Sequence, residues 1–374
     1  MAEVVANHWH GPLTGLAVTR YGHAGPHLLR HRNIELIEAG HPVPDENSVI
    51  AARRALELAD TLGEDDLALV LISGGGSALW CLPIPGLSLE DKQRITSSLL
   101  RAGASIKEIN TVRRALSQIK GGKLAQAAAP ARVETLLISD VVGDDPATIA
   151  SGPTVAHRQR FADVDDVVRK YRIELPAAVL KAIDKESSGR DPSSSIALRG
   201  DNPARIIASS ADALAAAADA TRSAGFSVRM LGDAIEGDAR EAAALHAAVA
   251  RQVALSGEPT VILSGGEVTA AVRGHAGIGG PNTEFLLTLA IELAGAAGIH
   301  AIACDTDGYD GVGTNAGALC GPDTLQRAKE IGFDPLRALA ASDSARFFEA
   351  LEDLVITGPT QTNVSDFRAI LVDV

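Results

Sequence analysis

Cysteine is nearly missing from this chain: Cys81, Cys304 and Cys320 are the only three in 374 residues, set far apart. No pair has the spacing of a cysteine-ligated zinc site or of a disulfide framework, so a reducing compartment is expected. Aromatic residues make up 3%, but the apolar share of 46% and charged share of 22% are those of ordinary globular material, which excludes disorder as a global description. Basic residues are in deficit, 34 against 47 acidic ones, for a formal charge of −13. That is the wrong sign for a nucleic-acid or anionic-membrane surface as a whole, and leaves a small anion in a locally positive site as the charged ligand to look for. Long apolar runs are absent too: none reaches the roughly 18 to 20 residues that span a bilayer. The opening MAEVVANHWHGP lacks the basic start and apolar core of a secretion signal. The expectation is a cytoplasmic protein without membrane or nucleic-acid partners.

What the chain has is glycine, 36 of them, bunched behind short apolar stretches. LTGLAVTR (13–20), NIELIEAG (33–40), LALVLISGGG (67–76), ETLLISD (134–140), TVILSGGE (260–267) and HAIACDTDG (300–308) read as buried parallel strands, with AILVDV as a final strand. Alanine- and leucine-rich stretches of helical length separate them, at 46–62, 89–103, 211–224, 237–255 and 283–297. Strand alternating with helix predicts an α/β architecture with a doubly wound sheet. The polar, serine-rich stretch DKESSGRDPSSS (184–195) suits an exposed linker, which divides the chain into domains at 1–190 and 196–374. The opening AEVVANHW reads as the end of an amphipathic helix.

Five clusters carry chemistry. LISGGGSALW (71–80) is a strand running into three glycines, where Ser73, Gly74, Gly75, Gly76 and Ser77 would let backbone amides and a following helix N-terminus face a phosphate or carboxylate. Leu79 takes the place of the third glycine of a dinucleotide fingerprint, and a tight structural turn is the bland alternative. NTVRRALSQIKGGKLA (110–125) gathers Arg113, Arg114, Lys120 and Lys123 on an otherwise acidic chain. Ser117 and Leu124 exclude a classical P-loop, while helical spacing would put Arg113 and Lys120 on one face, as an anion clamp or a solvated basic surface.

LLISDVVGDDPATIASGPT (136–154) delivers Asp140 to a strand's carboxyl end, followed by Asp144 and Asp145, where a metal or a substrate hydroxyl would be met; helix capping is expected of at least one of the later pair. GGPNTEF (279–285) and CDTDGYDGVGTNAGAL (304–319) bring Asp305, Asp307, Asp310 and Asn315, but Tyr309 and Asp310 break the EF-hand pattern, which leaves magnesium or a nucleotide phosphate tail. ITGPTQTNVSDF (356–367) holds Thr357, Thr360, Thr362 and Asn363 in a polar loop that suits either ligand contact or turn capping. Six histidines fall in the first 41 residues, but Gly22, Gly25 and Pro26 break the rigid spacing a zinc site needs.

Taken in order, SGGGSAL, GASIKEINTVRRALSQIKGGKLA, LLISDVVGDDPATIASGPT, GGPNTEF, DTDGYDG and ITGPTQTNV resemble the glycerate 2-kinase family with a C-terminal MOFRL domain, whose members are often labelled hydroxypyruvate reductase as well. The likeness runs from about residue 11 to the C-terminus. It implies a Rossmann-like first domain with a mostly parallel sheet and a second α/β domain carrying the MOFRL region, about 258–370. It also implies ATP-dependent, magnesium-assisted phosphorylation of D-glycerate to 2-phosphoglycerate. By motif, Lys120, Asp140 and Asp144 would be catalytic. Ser73 to Ser77, Asn110 and Arg113 would hold substrate or phosphate, and Asn282, Glu284, Asp307, Asp310, Asn315, Thr360 and Asn363 would complete a nucleotide site in the second domain. Asp140 and Asp307 are the metal candidates, and a homodimer is compatible with the design.

Two departures from the family pattern stand out. The Gly-x-Gly-Lys-Ala turn that usually precedes the first helix is not in the sequence, so a chain lacking its first strand, with impaired catalysis, is expected. Pro281 also stands where many relatives carry arginine. A hydroxypyruvate reductase using NADH or NADPH is the alternative, and a catalytically impaired anion- or nucleotide-binding protein is the third reading.

Overall fold

The structure, a computed structural model, describes residues 1–25, 31–156, 161–177, 179–181, 203–270 and 277–373. The expected linker at 184–195 lies outside the described residues, as does His27. The chain forms two compact units, Met1–Leu137 with Asp144–Ile207, and Ile138–Gly143 with Ala208–Val374.

The first unit opens with α1 (Ala2–His8), the short helix expected from AEVVANHW. Strands β1 (Gly15–Arg20) and β2 (Ile34–Ala39) then pair in parallel. Helix α2 (Glu46–Asp60) starts at a capping box formed by Asp45 and Ser48, and buries Ala51, Ala52, Ala55 and Ala59 at helical spacing. A three-stranded sheet follows in the order β3 (Leu67–Ile72), β4 (Arg132–Ile138), β5 (Ala204–Ala208), with β3 and β4 parallel. Between β3 and β4 run α3 (Gly76–Leu79), α4 (Leu89–Arg101), α5 (Ile106–Ala115) and α6 (Lys123–Ala127). Helices α4 and α5 share an apolar cluster with α7 (Phe161–Lys170), built on Ile95, Leu99, Ile109, Val112 and Val164.

The second unit is a six-stranded mixed sheet in the order β12 (Leu354–Val355), β11 (Gly317–Cys320), β10 (Ile299–Asp305), β13 (Asp366–Val372), β8 (Thr260–Gly266), β6 (Ser227–Gly232). A separate parallel pair is formed by β7 (Gly237–Asp238) and β9 (Val268–Thr269). Helices α8 (Ser210–Ser223), α9 (Ala239–Ala254) and α10 (Pro281–Leu293) connect or cover the strands of the large sheet. Phe285, Leu286, Leu287 and Leu289 of α10 are all fully buried, so this helix is apolar nearly all round because it lies in the core. Further along come α11 (Thr324–Glu330), α12 (Pro335–Ala340) and α13 (Ser344–Ala350), the last bringing Phe347 and Phe348 into that core.

The stretch 300–308, read as a parallel strand, is corrected by this topology. Strand β10 runs antiparallel to both β11 and β13, and only β6 with β8 is parallel in this sheet. A buried strand shows the same apolar run whichever way its neighbours point, and here the C-terminal strand inserts between β8 and β10. Among the described residues no helix is long and apolar enough to cross a membrane.

Candidate functional site

In the first unit, β3 ends at Ile72 and the chain turns through Ser73 to Gly75 into α3, a single helical turn. The sequence reading assigned this loop the positive end of a helix; one turn is too short to supply it. What shapes the loop instead is close approach. Gly75 sits at φ +79°, and a Cβ on Gly76 would stand 2.7 Å from the Cβ of Ala150. Ser77 Oγ lies 2.9 Å from Ser151 Oγ, and Ser151 Oγ donates to Asn110 Oδ1 at 3.3 Å. The glycine loop, α5 and the turn Ile149–Ser151 are thereby tied together by a short polar chain, and Ser73 is left exposed.

Lys120 joins the same group, donating from Nζ to the carbonyl of Ser77 at 2.9 Å. It does not continue the helix that carries Arg113, as expected from a seven-residue spacing. Helix α5 ends at Ala115, and the chain reverses, with Lys123 Nζ donating to the carbonyls of Arg114 and Ser117. The reversal rather than helical periodicity puts Lys120 within electrostatic reach of Arg113. Burial, and then the charge of Lys92, hold the Lys120 ammonium well below the usual lysine range. Burial likewise lowers Arg113 and Lys92.

Lys92 was not among the expected residues. It lies in the first turn of α4, buried on the same face as Ile95 and Leu99, and among the described residues its Nζ has no oxygen or nitrogen partner, only the Cys81 sulfur. The signal was available: residues three and seven positions before a buried isoleucine and leucine belong to the apolar stripe, and a lysine there is out of place. Neither acid caps a helix as expected: Asp145 accepts from the Ala147 amide at 3.0 Å and the Thr148 hydroxyl at 2.8 Å in a turn, while the N-cap of the short helix Ile149–Ser151 is Thr148, without a side-chain cap. Asp144 is half-buried with a left-handed backbone, φ 51°.

Asp140 belongs to the second unit, where its carbonyl accepts from Ser365 Oγ at 2.9 Å. Its charge is one of those that, after burial and Asp366, raise Glu267. Around the ends of β10 and β13 stand Asp305, Asp307, Asp310 and Asp366. Asp305 is pushed up to about 8 by burial first and then by the charge of Asp307. Asp310 is pushed up to about 6 by burial, although both its oxygens accept amides at the start of α10, from Asn282 and Thr283, each at 2.8 Å. Asp310 is thus the cap that Gly280, at the N-cap, has no side chain to provide, and Pro281 occupies N1, where its missing N–H costs nothing.

Asn282 Nδ2 donates to Asp366 Oδ1 at 2.6 Å, and Arg368 donates to Asp366 while lying 5.2 Å from the centre of the Phe285 ring. Glu284 is engaged by Arg240, whose Nε donates to it at 2.5 Å. Asn315 gives its carbonyl to the Asp310 amide at 2.6 Å. Thr360 donates its hydroxyl to the Thr306 carbonyl at 2.5 Å, and Asn363 Oδ1 accepts the Ser365 amide at 2.8 Å.

Among the described residues no three His, Cys, Asp or Glu side chains are arranged to bind a metal ion by themselves. Asp305, raised by burial and by the charge of Asp307, and Asp307 itself nevertheless offer hard oxygens that fit magnesium, which typically takes one or two carboxylates and fills its remaining positions with water and phosphate.

Parallel strands carrying a serine-glycine loop in one unit, and buried carboxylates at strand ends in the other, define a two-unit α/β enzyme. The chain matches a domain of unknown function, DUF4147, over residues 1–184 and the MOFRL family over residues 260–366. It is 41% identical to the D-glycerate 2-kinase of Thermotoga maritima, over 94% of this chain and 82% of that protein. A protein of Agrobacterium vitis with the provisional name hydroxypyruvate reductase is 48% identical over 100% of this chain and 84% of its own length. The crystal structure of the Thermotoga maritima glycerate kinase superposes with a TM-score of 0.85 at 38% identity, over 96% of this chain and 85% of that one. The chain belongs to the glycerate kinase family with a MOFRL domain.

Proposed function

We propose that this chain is a glycerate 2-kinase, which transfers the terminal phosphoryl group of ATP to the 2-hydroxyl of D-glycerate. The observation that carries the reading is a pair of cations in the first unit: buried Lys120, which donates to the Ser77 carbonyl of the Ser73–Ser77 loop, and half-buried Arg113 within its electrostatic reach. They suit a substrate that enters as a carboxylate and leaves as a phosphate ester. The names of the kinase relatives support it as well.

In the reaction the 2-hydroxyl oxygen bonds to the terminal phosphorus, the bond from that phosphorus to its bridging oxygen breaks, and the electron pair leaves on ADP. Asp144 or Asp140 is assigned to accept the hydroxyl proton. Lys120, Arg113 and Asn110, with the loop from Ser73 to Ser77, are assigned to the substrate's negative charge. A cation held in place by burial needs no reorganisation when charge develops on the transferring group. In the second unit Asp307, with Asp140, is assigned to magnesium, which when bound supplies charge neutralisation to the nucleotide phosphates. Asn282, Asn315, Thr360 and Asn363 are assigned to the nucleotide.

The test is ADP formation from ATP, D-glycerate and magnesium, measured on this chain and on a longer one carrying any in-frame upstream coding sequence. Formation of 2-phosphoglycerate is expected; no product from either chain at saturating substrate refutes the reading. A second reading, hydroxypyruvate reductase, is favoured by the name of the Agrobacterium vitis relative. It requires NADH or NADPH to be consumed with hydroxypyruvate, in an assay that contains no ATP.

A further inference from the structure

The first unit contains more buried positive charge than its fold has any use for. Lys92, Arg113 and Lys120 act on one another through space, and Cys81, itself buried, stands among them. Lys92 is 4% exposed and Lys120 1%, while Arg113 is half-buried. Among the described residues no carboxylate acts on any of the three; the one group drawing them is the Cys81 sulfur. Isolated buried charges cost several kcal/mol each, and natural proteins pair them.

The placement of Lys92 is unfavourable in a second way. It occupies the first turn of α4, behind the N-cap Ser88, where helix amides already present partial positive charge and where Glu90 and Asp91 are the favoured kind of residue. Among the described residues its Nζ has no oxygen or nitrogen partner and only the Cys81 sulfur draws it, whereas Lys120 Nζ has the Ser77 carbonyl. Removing one of these charges would relieve the fold. Retaining all three makes sense if an anion from outside completes them.

We propose that Lys92, Arg113 and Lys120 form a built site for a small doubly charged oxyanion, and that Lys92 is the residue that makes the site prefer two negative charges to one. The proposal rests on the anion-holding role given above to Arg113 and Lys120, and not on which reaction the enzyme performs. Within the proposed kinase it assigns Lys92 to the group that gains charge in the reaction, the phosphate ester, rather than to a singly charged carboxylate. The distinction is physical: a carboxylate can be balanced by Arg113 alone, in bidentate fashion, while a dianion calls for a second full charge and more donors than one guanidinium offers.

Calorimetry on the full chain, at constant ionic strength, decides the matter with sulfate as the dianion probe and acetate as the monoanion probe. The wild-type chain should bind sulfate more tightly than acetate. Lys92→Met should weaken sulfate by about tenfold or more, the value of one charge-assisted interaction, and acetate by less than about threefold. Lys92→Arg should keep the sulfate preference, and Lys329→Met, on an exposed helix position, should change neither affinity. Without added anion, Lys92→Met should melt no lower than the wild type, because it removes an uncompensated buried charge.

Equal binding of the two probes by the wild type, or an unchanged sulfate preference in Lys92→Met, overturns the proposal. A measurement on the unmodified chain guards against a variant that does not fold. Sulfate should raise its Tm by more than acetate does at the same ionic strength, read by scanning calorimetry, and equal shifts count against the site. The two readings also fail separately. A Lys92-dependent sulfate preference, with no ADP formed by this chain or by the longer one, sinks the kinase and keeps the site. ADP formation with sulfate affinity indifferent to Lys92 does the reverse.

Discussion

Glu284 was expected to serve a nucleotide, yet it is buried against Arg240, and the two roles make different predictions. The Glu284 side chain is 3% exposed and that of Arg240 is 20%. Arg240 is also held by the Leu339 carbonyl at 2.8 Å, so it anchors α9 to α10 and to the end of α12. Arg240→Met strands a carboxylate with almost no access to water, and should cost about 3–5 kcal/mol. Glu284→Met strands the guanidinium, but a fifth of that side chain reaches solvent and its bond to Leu339 survives, so about 2–3 kcal/mol is expected. The double variant leaves an apolar pair of similar volume and should be the least damaged of the three, within about 1–2 kcal/mol of wild type. At roughly 2–4 °C per kcal/mol for a unit of this size, Arg240→Met should melt about 10 °C low and the double variant should recover most of the loss. Scanning calorimetry reads all three. If Arg240→Met and Glu284→Met both melt like the wild type while the KM for ATP rises only in the second, the ion pair is not structural and the reasoning fails.

Three further outcomes follow from the geometry. Gly76→Ala puts a methyl 2.7 Å from the Ala150 Cβ. It should cost about 1–3 kcal/mol and raise the KM for D-glycerate by pushing the loop off Ser151; an unchanged KM refutes the loop's role. Glu108 is held at about 2, from 4.5, by Lys170 first and then by Ser105 and Tyr171. A carboxyl depressed in the folded state adds stability above its unfolded value and loses it as pH falls through its folded one. The Tm gap between wild type and Lys170→Met should therefore shrink as pH falls from about 5 to about 2, and a constant gap would contradict this. Phe348, fully buried with its ring 5.2 Å from that of Phe347, should cost about 3–5 kcal/mol as alanine in urea unfolding, and a loss below about 1 kcal/mol would mean that the core collapses around the gap.

Which parts of this protein can be read from its sequence depends on whether the cause is local. The strand from 67 and the helices from 46 and 89 are legible because apolar period and capping residue lie within a few positions of each other, as with Asp45 and Ser48. Strand direction is not local, and β10 shows the consequence: its neighbours come from 317–320 and from 366–372, and nothing in HAIACD records which way they run. The glycine loop and Lys120 were legible as a charge anomaly on an acidic chain, but their meeting depends on a reversal at Leu116, outside any helical period.

Lys92, Asp366 and Arg368 were overlooked for a different reason. Each is a charged residue standing at the inward-facing position of an amphipathic element, and each reads as surface if charge is judged by residue type alone. Arg368 alternates with Asp366, Ile370 and Val372 along the buried register of β13, and Lys92 precedes Ile95 and Leu99 on α4. Period judges position before identity. Had the inward positions been assigned first, the polar residues left on them would have been the short list of groups that the fold tolerates at a cost, and these are where a ligand's compensating charge is to be sought. On that criterion Arg368 is answered inside the protein by the carboxylate of Asp366, and no described carboxylate answers Lys92, which meets only the Cys81 sulfur. The same rule that misplaces Lys92 on the surface, applied in the opposite order, singles it out as the residue whose partner must come from solution.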